Sequence, residues 1–118
     1  MFSGGTGTQA DPYLIATAED LNNVRYEFGS HFLQIADIDL SIYENWEPIG
    51  DNTEQFGGNY DGNGHEVNNL TINRADKMYI GLFGSTWGAT IKNVIIATGS
   101  VTGNSNTGGL IGYSTATT

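Results

Sequence analysis

Thirteen carboxylates, two histidines and no cysteine bound the chemistry this chain can do. Asp37 and Asp39 lie two positions apart in a strand-like run, so they share one face. Paired carboxylates can act as general acid and base in glycoside hydrolysis. A groove that cleaved an anionic sugar would also want Arg or Lys, and Arg25 is the one basic residue in the first 66. A solvated outer face opposite Ile38 and Leu40 is the stronger reading. Asp61-Gly62-Asn63-Gly64-His65 puts oxygen ligands at alternate positions, as a calcium loop does. The EF-hand pattern needs a Glu eleven positions after the first ligand, and Ile72 stands there. The segment reads instead as a Gly/Asn turn. His31 and His65 lack a marked nucleophile: Ser30 and Ser41 are present, but nothing resembles a nucleophile elbow. Gly4-Gly5-Thr6-Gly7-Thr8 lacks the Lys of a phosphate loop and reads as a linker. No catalytic, cofactor-binding or metal-binding residue is assigned. Tyr43, Trp46, Tyr60, Trp87 and Tyr113 could stack on sugar rings if exposed. Trp46 and Trp87, in turn-like segments, are the candidate carbohydrate contacts, weighed against an ordinary place in the core.

The elements that would position these residues follow from composition and pattern. Seventeen Gly, 38% hydrophobic and only 14% charged residues suit many short strands joined by tight turns. Net charge is −9. Residues 1–66 hold twelve of the acids, while residues 67–118 hold Asp76 with Arg74, Lys77 and Lys92. The front would repel phosphates and the back shows no basic cluster, so nucleic acid is rejected as a partner, and anionic membranes with it. No apolar run approaches the ~20 residues that span a bilayer. Residues 1–5 have neither a basic start nor an apolar stretch and are not a signal peptide.

Tyr13-Leu14-Ile15-Ala16 reads as a short strand. A helix is expected at about 18–28. Thr17 caps it and Asp20 stands in the capping-box position. Ala16 and Leu21 are placed for a hydrophobic staple, and Leu21, Val24 and Phe28 for one apolar face. Gly29 would supply a left-handed stop. Residues 31–40 then read as strand, with Leu33, Ile35, Ile38 and Leu40 apolar and a slip at Ala36-Asp37 that marks a bend or bulge. Residues 41–58 are loop-like.

An internal repeat organises the rest. Gly57–Ile72 aligns with Gly81–Ile96 at an offset of 24 without gaps. Gly109-Leu110-Ile111-Gly112 repeats Gly81-Leu82-Phe83-Gly84 at an offset of 28. Such a period implies a solenoid whose turns stack by parallel strand pairing. The 24-residue alignment predicts inward columns Val67/Ile91, Leu70/Val94 and Ile72/Ile96. It also predicts a corner at Asn68-Asn69 in left-handed conformation, and an amide ladder from Asn69 to Asn93.

These segments resemble a known group. Gly81-Leu82-Phe83-Gly84 and Gly109-Leu110-Ile111-Gly112, with Ile91-Lys92-Asn93-Val94 after the first, look like the GLUG-type repeats of bacterial surface proteins. Phe56–His65 is similar to the entry turn before such repeats. Ala10-Asp11-Pro12-Tyr13 with Thr17-Ala18-Glu19-Asp20-Leu21 is similar to their opening segment. The resemblance implies an all-β fold: a right-handed parallel β-helix with one N-terminal α-helix capping its first turn. It implies one domain over 1–118, with cap and first coil at 1–55 and repeat coils at 56–118, the last truncated. It also implies a large exported or cell-surface parent, such as an adhesin or a peptidase whose catalytic domain is separate. It carries over no catalytic residue.

The reading is therefore a non-catalytic structural or adhesive module, extracellular or on the cell surface, without a cofactor. Its expected partners are a surface glycan or host ligand, and a second copy met through an open C-terminal solenoid end. Two alternatives stand beside it. One is the first part of a carbohydrate-active β-helix enzyme. The other is a sugar- or ice-binding module, although Thr71 matches Ile95 and no Thr column is visible.

Overall fold

The computed structural model describes residues 2–115. The chain is built of short strands with one short helix. The strands are β1 Tyr13–Ile15, β2 His31–Gln34, β3 Ile38–Asp39, β4 Asn59–Asp61, β5 Glu66–Asn68, β6 Leu70–Asn73, β7 Phe83–Trp87, β8 Thr90–Lys92, β9 Ile95–Ile96, β10 Gly99–Thr102 and β11 Ile111–Thr115. Every pairing between named strands is parallel. One sheet runs β1-β2-β4-β8, a second β3-β5-β9, and two pairs are β6-β10 and β7-β11. The chain thus passes the same faces in the same order: β4, β5, β6, β7 and then β8, β9, β10, β11. An earlier pass begins with β2 and β3. It continues as irregular chain that touches β7 at Ile49–Phe83 and Phe56–Thr86.

The helix α1 spans Ala18–Asn23 and is capped as expected, since Thr17 is extended and its Oγ1 accepts from the Asp20 amide at 3.1 Å. Asp20 turns back one residue beyond the capping-box target and accepts from the Ala16 amide at 3.0 Å and from the Ser3 hydroxyl. The helix is shorter than expected. At Val24–Tyr26 it tightens into a 3₁₀ turn. There the Arg25 guanidinium donates to the Asn22 carbonyl at 2.9 Å and to Asn22 Oδ1 at 2.8 Å, local bonds that compete with further helix. The stop does not use a left-handed Gly29; the chain turns through a Ser30 amide to Glu27 carbonyl bond. Leu21 and Val24 are completely buried, and Phe28 packs partly buried against the same core.

The residue columns differ from those the 24-residue alignment predicts. Val67 pairs with Ile96, Ile91 with Tyr60, Leu70 with Gly99 and Ile72 with Val101. The true spacing is 29 residues in the β5-β9 and β6-β10 pairs and 28 in β7-β11. The alignment matched two strand–Asn–strand units that lie on different faces. Asn69 joins β5 to β6 and Asn93 joins β8 to β9, both left-handed, at φ 59° and 57°. The expected left-handed corner is therefore present, but the Asn69–Asn93 ladder is not: Asn69 donates to Asp39, and Asn93 to Asp61.

The 28-residue match holds, and its glycines have a steric reason. A Cβ on Gly84 would lie 2.3 Å from the Gly50 carbonyl oxygen, and one on Gly112 would lie 2.5 Å from the Ile80 nitrogen. Only glycine lets these passes approach so closely.

The inward phase of β2 is also reversed from expectation. Phe32 and Gln34 are buried, Leu33 is half-buried, and Ile35 is exposed. Phe32 joins a run of rings, 6.1 Å from Phe56 and 6.4 Å from Tyr60, with Phe83 4.9 Å from Phe56. Gln34 tolerates burial because its amide is fully engaged. Nε2 donates to the Ala36 and Glu66 carbonyls at 3.0 and 3.1 Å, and Oε1 accepts from the Tyr60 hydroxyl at 3.0 Å. Burial pushes the Tyr60 phenol well above its ordinary range. Past the slip, Ile38 and Leu40 face inward as expected.

Candidate functional site

The carboxylates singled out by sequence sit at corners and bind the neighbouring pass. Asp37 Oδ1 accepts from the Glu66 amide at 2.9 Å and lies 3.3 Å from His65 Nδ1. Asp39 Oδ1 accepts from the Ser41 amide and from Asn69 Nδ2, both at 2.9 Å. The Glu66 amide, with His65, holds the Asp37 carboxyl below the usual range. The Asn69 amide, with Ser41, does the same for Asp39. A glycosidase acid is kept protonated by a raised pKa, and both groups move the other way. Asp61 closes the expected turn: its Oδ1 accepts from the Asn63 amide at 2.8 Å, with Asn63 at φ 55° and Gly64 at φ 75°. Among the described residues no three His, Asp or Glu side chains converge to hold a metal ion. Among the described residues no helix is long and apolar enough to cross a membrane.

The two tryptophans part company. Trp46 is 1% exposed and corrects the expectation of a sugar contact. Its indole N–H donates to the Leu82 carbonyl at 3.1 Å, Tyr43 meets its ring edge-on, and the Arg25 guanidinium lies 5.5 Å from its centroid. No face is left for a ligand. Trp87, at the end of β7, is 59% exposed. Tyr60 is core, whereas Tyr113 is 44% exposed.

Two depressions stand out on the surface of the described residues. A shallow one of about 310 Å³ lies over the outer face of the β1-β2-β4-β8 sheet, where His31, Asn59, Asp61 and Lys92 stand near one another. His31 Nε2 is 3.4 Å from Asn59 Nδ2. A larger cleft of about 530 Å³ lies between the end of the 3₁₀ turn, the loop at 47–54 and the segment 74–80. Arg25, Arg74 and Lys77 line it, three of the four basic residues in the chain. The cluster is invisible in the sequence, because Arg25 is remote in the chain from the other two. The 28-residue offset, extended back to Asn45 and Asn73, is the signal that brings the chain after Asn45 beside Arg74. Asn45 and Asn73 bond reciprocally, and Arg74 Nε donates to the Trp46 carbonyl at 3.3 Å.

No protein-family model matches the chain, so the GLUG-type repeat remains a resemblance. Two relatives are similar in sequence. A protein of Evansella cellulosilytica, provisionally described as a Gly-rich membrane protein, is 50% identical over 71% of this chain and 10% of its own length. Halomucin of Haloquadratum walsbyi is 38% identical over 92% of this chain and 1% of its own. The chain thus spans a tenth of one relative and a hundredth of the other. Among solved structures, a protein of Bacteroides ovatus provisionally described as an immunoglobulin A1 protease superposes with a TM-score of 0.53. It is 20% identical and covers 82% of this chain and 31% of that one. The likeness is one of fold.

Proposed function

We propose that the chain is a segment of a right-handed parallel β-helix serving as a non-catalytic structural and adhesive module in a larger cell-surface or secreted protein. The observation that carries this reading is the stacking itself. Successive passes meet strand on strand, always parallel, around one apolar interior running from Ile15 to Phe83. Parallel strands joined by a crossover are right-handed in nearly all proteins, which supports the hand. A stack of this kind lengthens by adding passes, each contacting only its neighbours, which suits a spacer or display surface. The long relatives, one named a membrane protein, support a surface location. The corner carboxylates support a non-catalytic role, since each has an oxygen engaged in holding one pass to the next.

The test is to incubate the purified chain with a panel of acidic and neutral polysaccharides and unfolded proteins. No new reducing ends and no new peptides are expected while the chain unfolds cooperatively. Product release that disappears in an Asp37→Asn, Asp39→Asn double variant would overturn the reading.

A further inference from the structure

We infer that the cleft between the 3₁₀ turn, the 47–54 loop and segment 74–80 is a binding site for a carboxylate-bearing saccharide, with Arg74 and Lys77 holding the carboxylate and Tyr26 and Tyr79 stacking on the sugar ring. This does not depend on the structural-module reading, because a site of this kind can sit on any scaffold.

The charge distribution is the first argument. In a chain of net charge −9, three of four cations converge here and balance the three acids of the lining, Glu47, Asp51 and Glu54. Arg25 is consumed structurally, donating to Asn22 and to the Glu47 carbonyl and carboxylate. Arg74 is different. Two backbone carbonyls, of Trp46 and Asn45, orient its guanidinium through Nε and Nη2. Neither Arg74 nor Lys77 makes an ion pair among the described residues. An oriented guanidinium beside an unpaired ammonium is the arrangement that recognises a carboxylate.

The rings are the second argument. Tyr26 is 64% exposed at the cleft. Tyr79 lines it with a backbone φ of 60°, a conformation bulky residues rarely adopt. Bonds on either side impose it: the Lys77 amide donates to Arg74, and the Ile80 amide to Asn106. The Tyr79 ring is held edge-on to Tyr113 at 5.7 Å. Tyr79 is half-buried, and strained backbone that fixes a side chain at the edge of a cleft points to use of that side chain.

The remaining groups choose among anions. Glu54 and Asp51 share the cleft, and carboxylate oxygens there would accept sugar hydroxyls. A peptide would want main-chain partners. Several backbone groups around the cleft are already bonded, through Asp51 to Glu54, Asn104 to Lys77 and Gly108 to Ile80. Side chains are what the site offers, and they match a ring carrying hydroxyls and one carboxylate.

Isothermal titration of the folded chain with trigalacturonate, maltotriose and oligoglutamate tests this, at about 50 and about 500 mM salt. Trigalacturonate should bind saturably, more weakly at high salt, and about tenfold tighter than either comparison ligand. Lys77→Ala and Tyr26→Ala, both at exposed positions, should each weaken binding about fivefold or more with an unchanged melting temperature. Lys92→Ala, outside the cleft, should leave it unchanged. Absence of saturable uronate binding below about 10 mM, equal binding of maltotriose or oligoglutamate, or equal affinity of the two cleft variants and wild type would each overturn the assignment.

Discussion

Ile38 and Ile96 stand at opposite ends of one column, Ile38–Val67–Ile96, in the β3-β5-β9 sheet. Each is an isoleucine in an edge strand of the same sheet, yet Ile38 is 1% exposed and Ile96 is only half-buried. The difference lies in what covers them. The side of Ile38 belongs to the region where α1 and β1 add Leu21, Val24 and Ile15, all completely buried. Among the described residues β8, β9, β10 and β11 each have a strand neighbour on one side only. Ile91, Val94, Ile96, Val101 and Ile111 are accordingly packed but partly exposed. Strand formation and burial are thus separate achievements in this chain: a neighbour on one side makes the strand, and a cover on the other makes the core.

Matched truncations break or support that comparison most directly. Ile38→Ala should cost about 2–5 kcal/mol, the range for a buried Ile whose cavity cannot collapse. Ile96→Ala should cost about 1–2 kcal/mol, since much of its surface already faces water. Urea unfolding of the two variants measures both. Equal costs would show that the two ends are covered alike.

A second pair sharpens the comparison with a polar group. Tyr60 and Tyr113 differ as the two isoleucines do, being buried and 44% exposed. Tyr60→Phe strands Gln34 Oε1 inside the core and should cost about 1–3 kcal/mol. Tyr113→Phe should stay within about 0.5 kcal/mol. Thermal unfolding of both decides it; a neutral Tyr60→Phe would mean that water reaches Gln34.

What could be read in the sequence was local. The Thr17 cap needs only the next three residues, the Asn69 corner only the parity of Val67 and Leu70, and the 28-residue glycine match only a short string. What failed was non-local. Nothing near β2 says that Gln34 rather than Ile35 faces inward; the Tyr60 hydroxyl and the Glu66 carbonyl, both on later strands, decide that. The 24-residue alignment failed because corners resemble one another on every face, so a strand–Asn–strand unit fixes conformation but not register. Trp46 is core despite its turn-like sequence, because its indole N–H reaches Leu82, on a later pass. The basic cleft required the same long-range knowledge, joining Arg25 to Arg74 across two passes.

The smallest expected effect concerns the corners, where burial plays no part and the comparison of ends should vanish. Asp37 and Asp39 are held below the ordinary carboxylate range by amide donors that exist only in the fold. A carboxyl whose folded pKa is depressed binds protons more readily unfolded than folded. Its contribution is complete above the unfolded value of about 3.9 and is lost as pH falls through the lower folded value. The melting temperature should therefore be flat from about pH 7 to about pH 5 as far as these groups are concerned, and should decline below about pH 4. Both groups are solvent-exposed, so salt and water screen the effect and the decline should be shallow. Asp39→Asn keeps an oxygen that can accept from Ser41 and Asn69 but removes the titration. Paired with Asp37→Asn, it should flatten the part of the acid limb that these two groups supply. Melting curves from pH 7 to about pH 2 on wild type and double variant measure the difference. An identical acid limb in the two proteins would show that these corner bonds form without favouring the charged carboxylate.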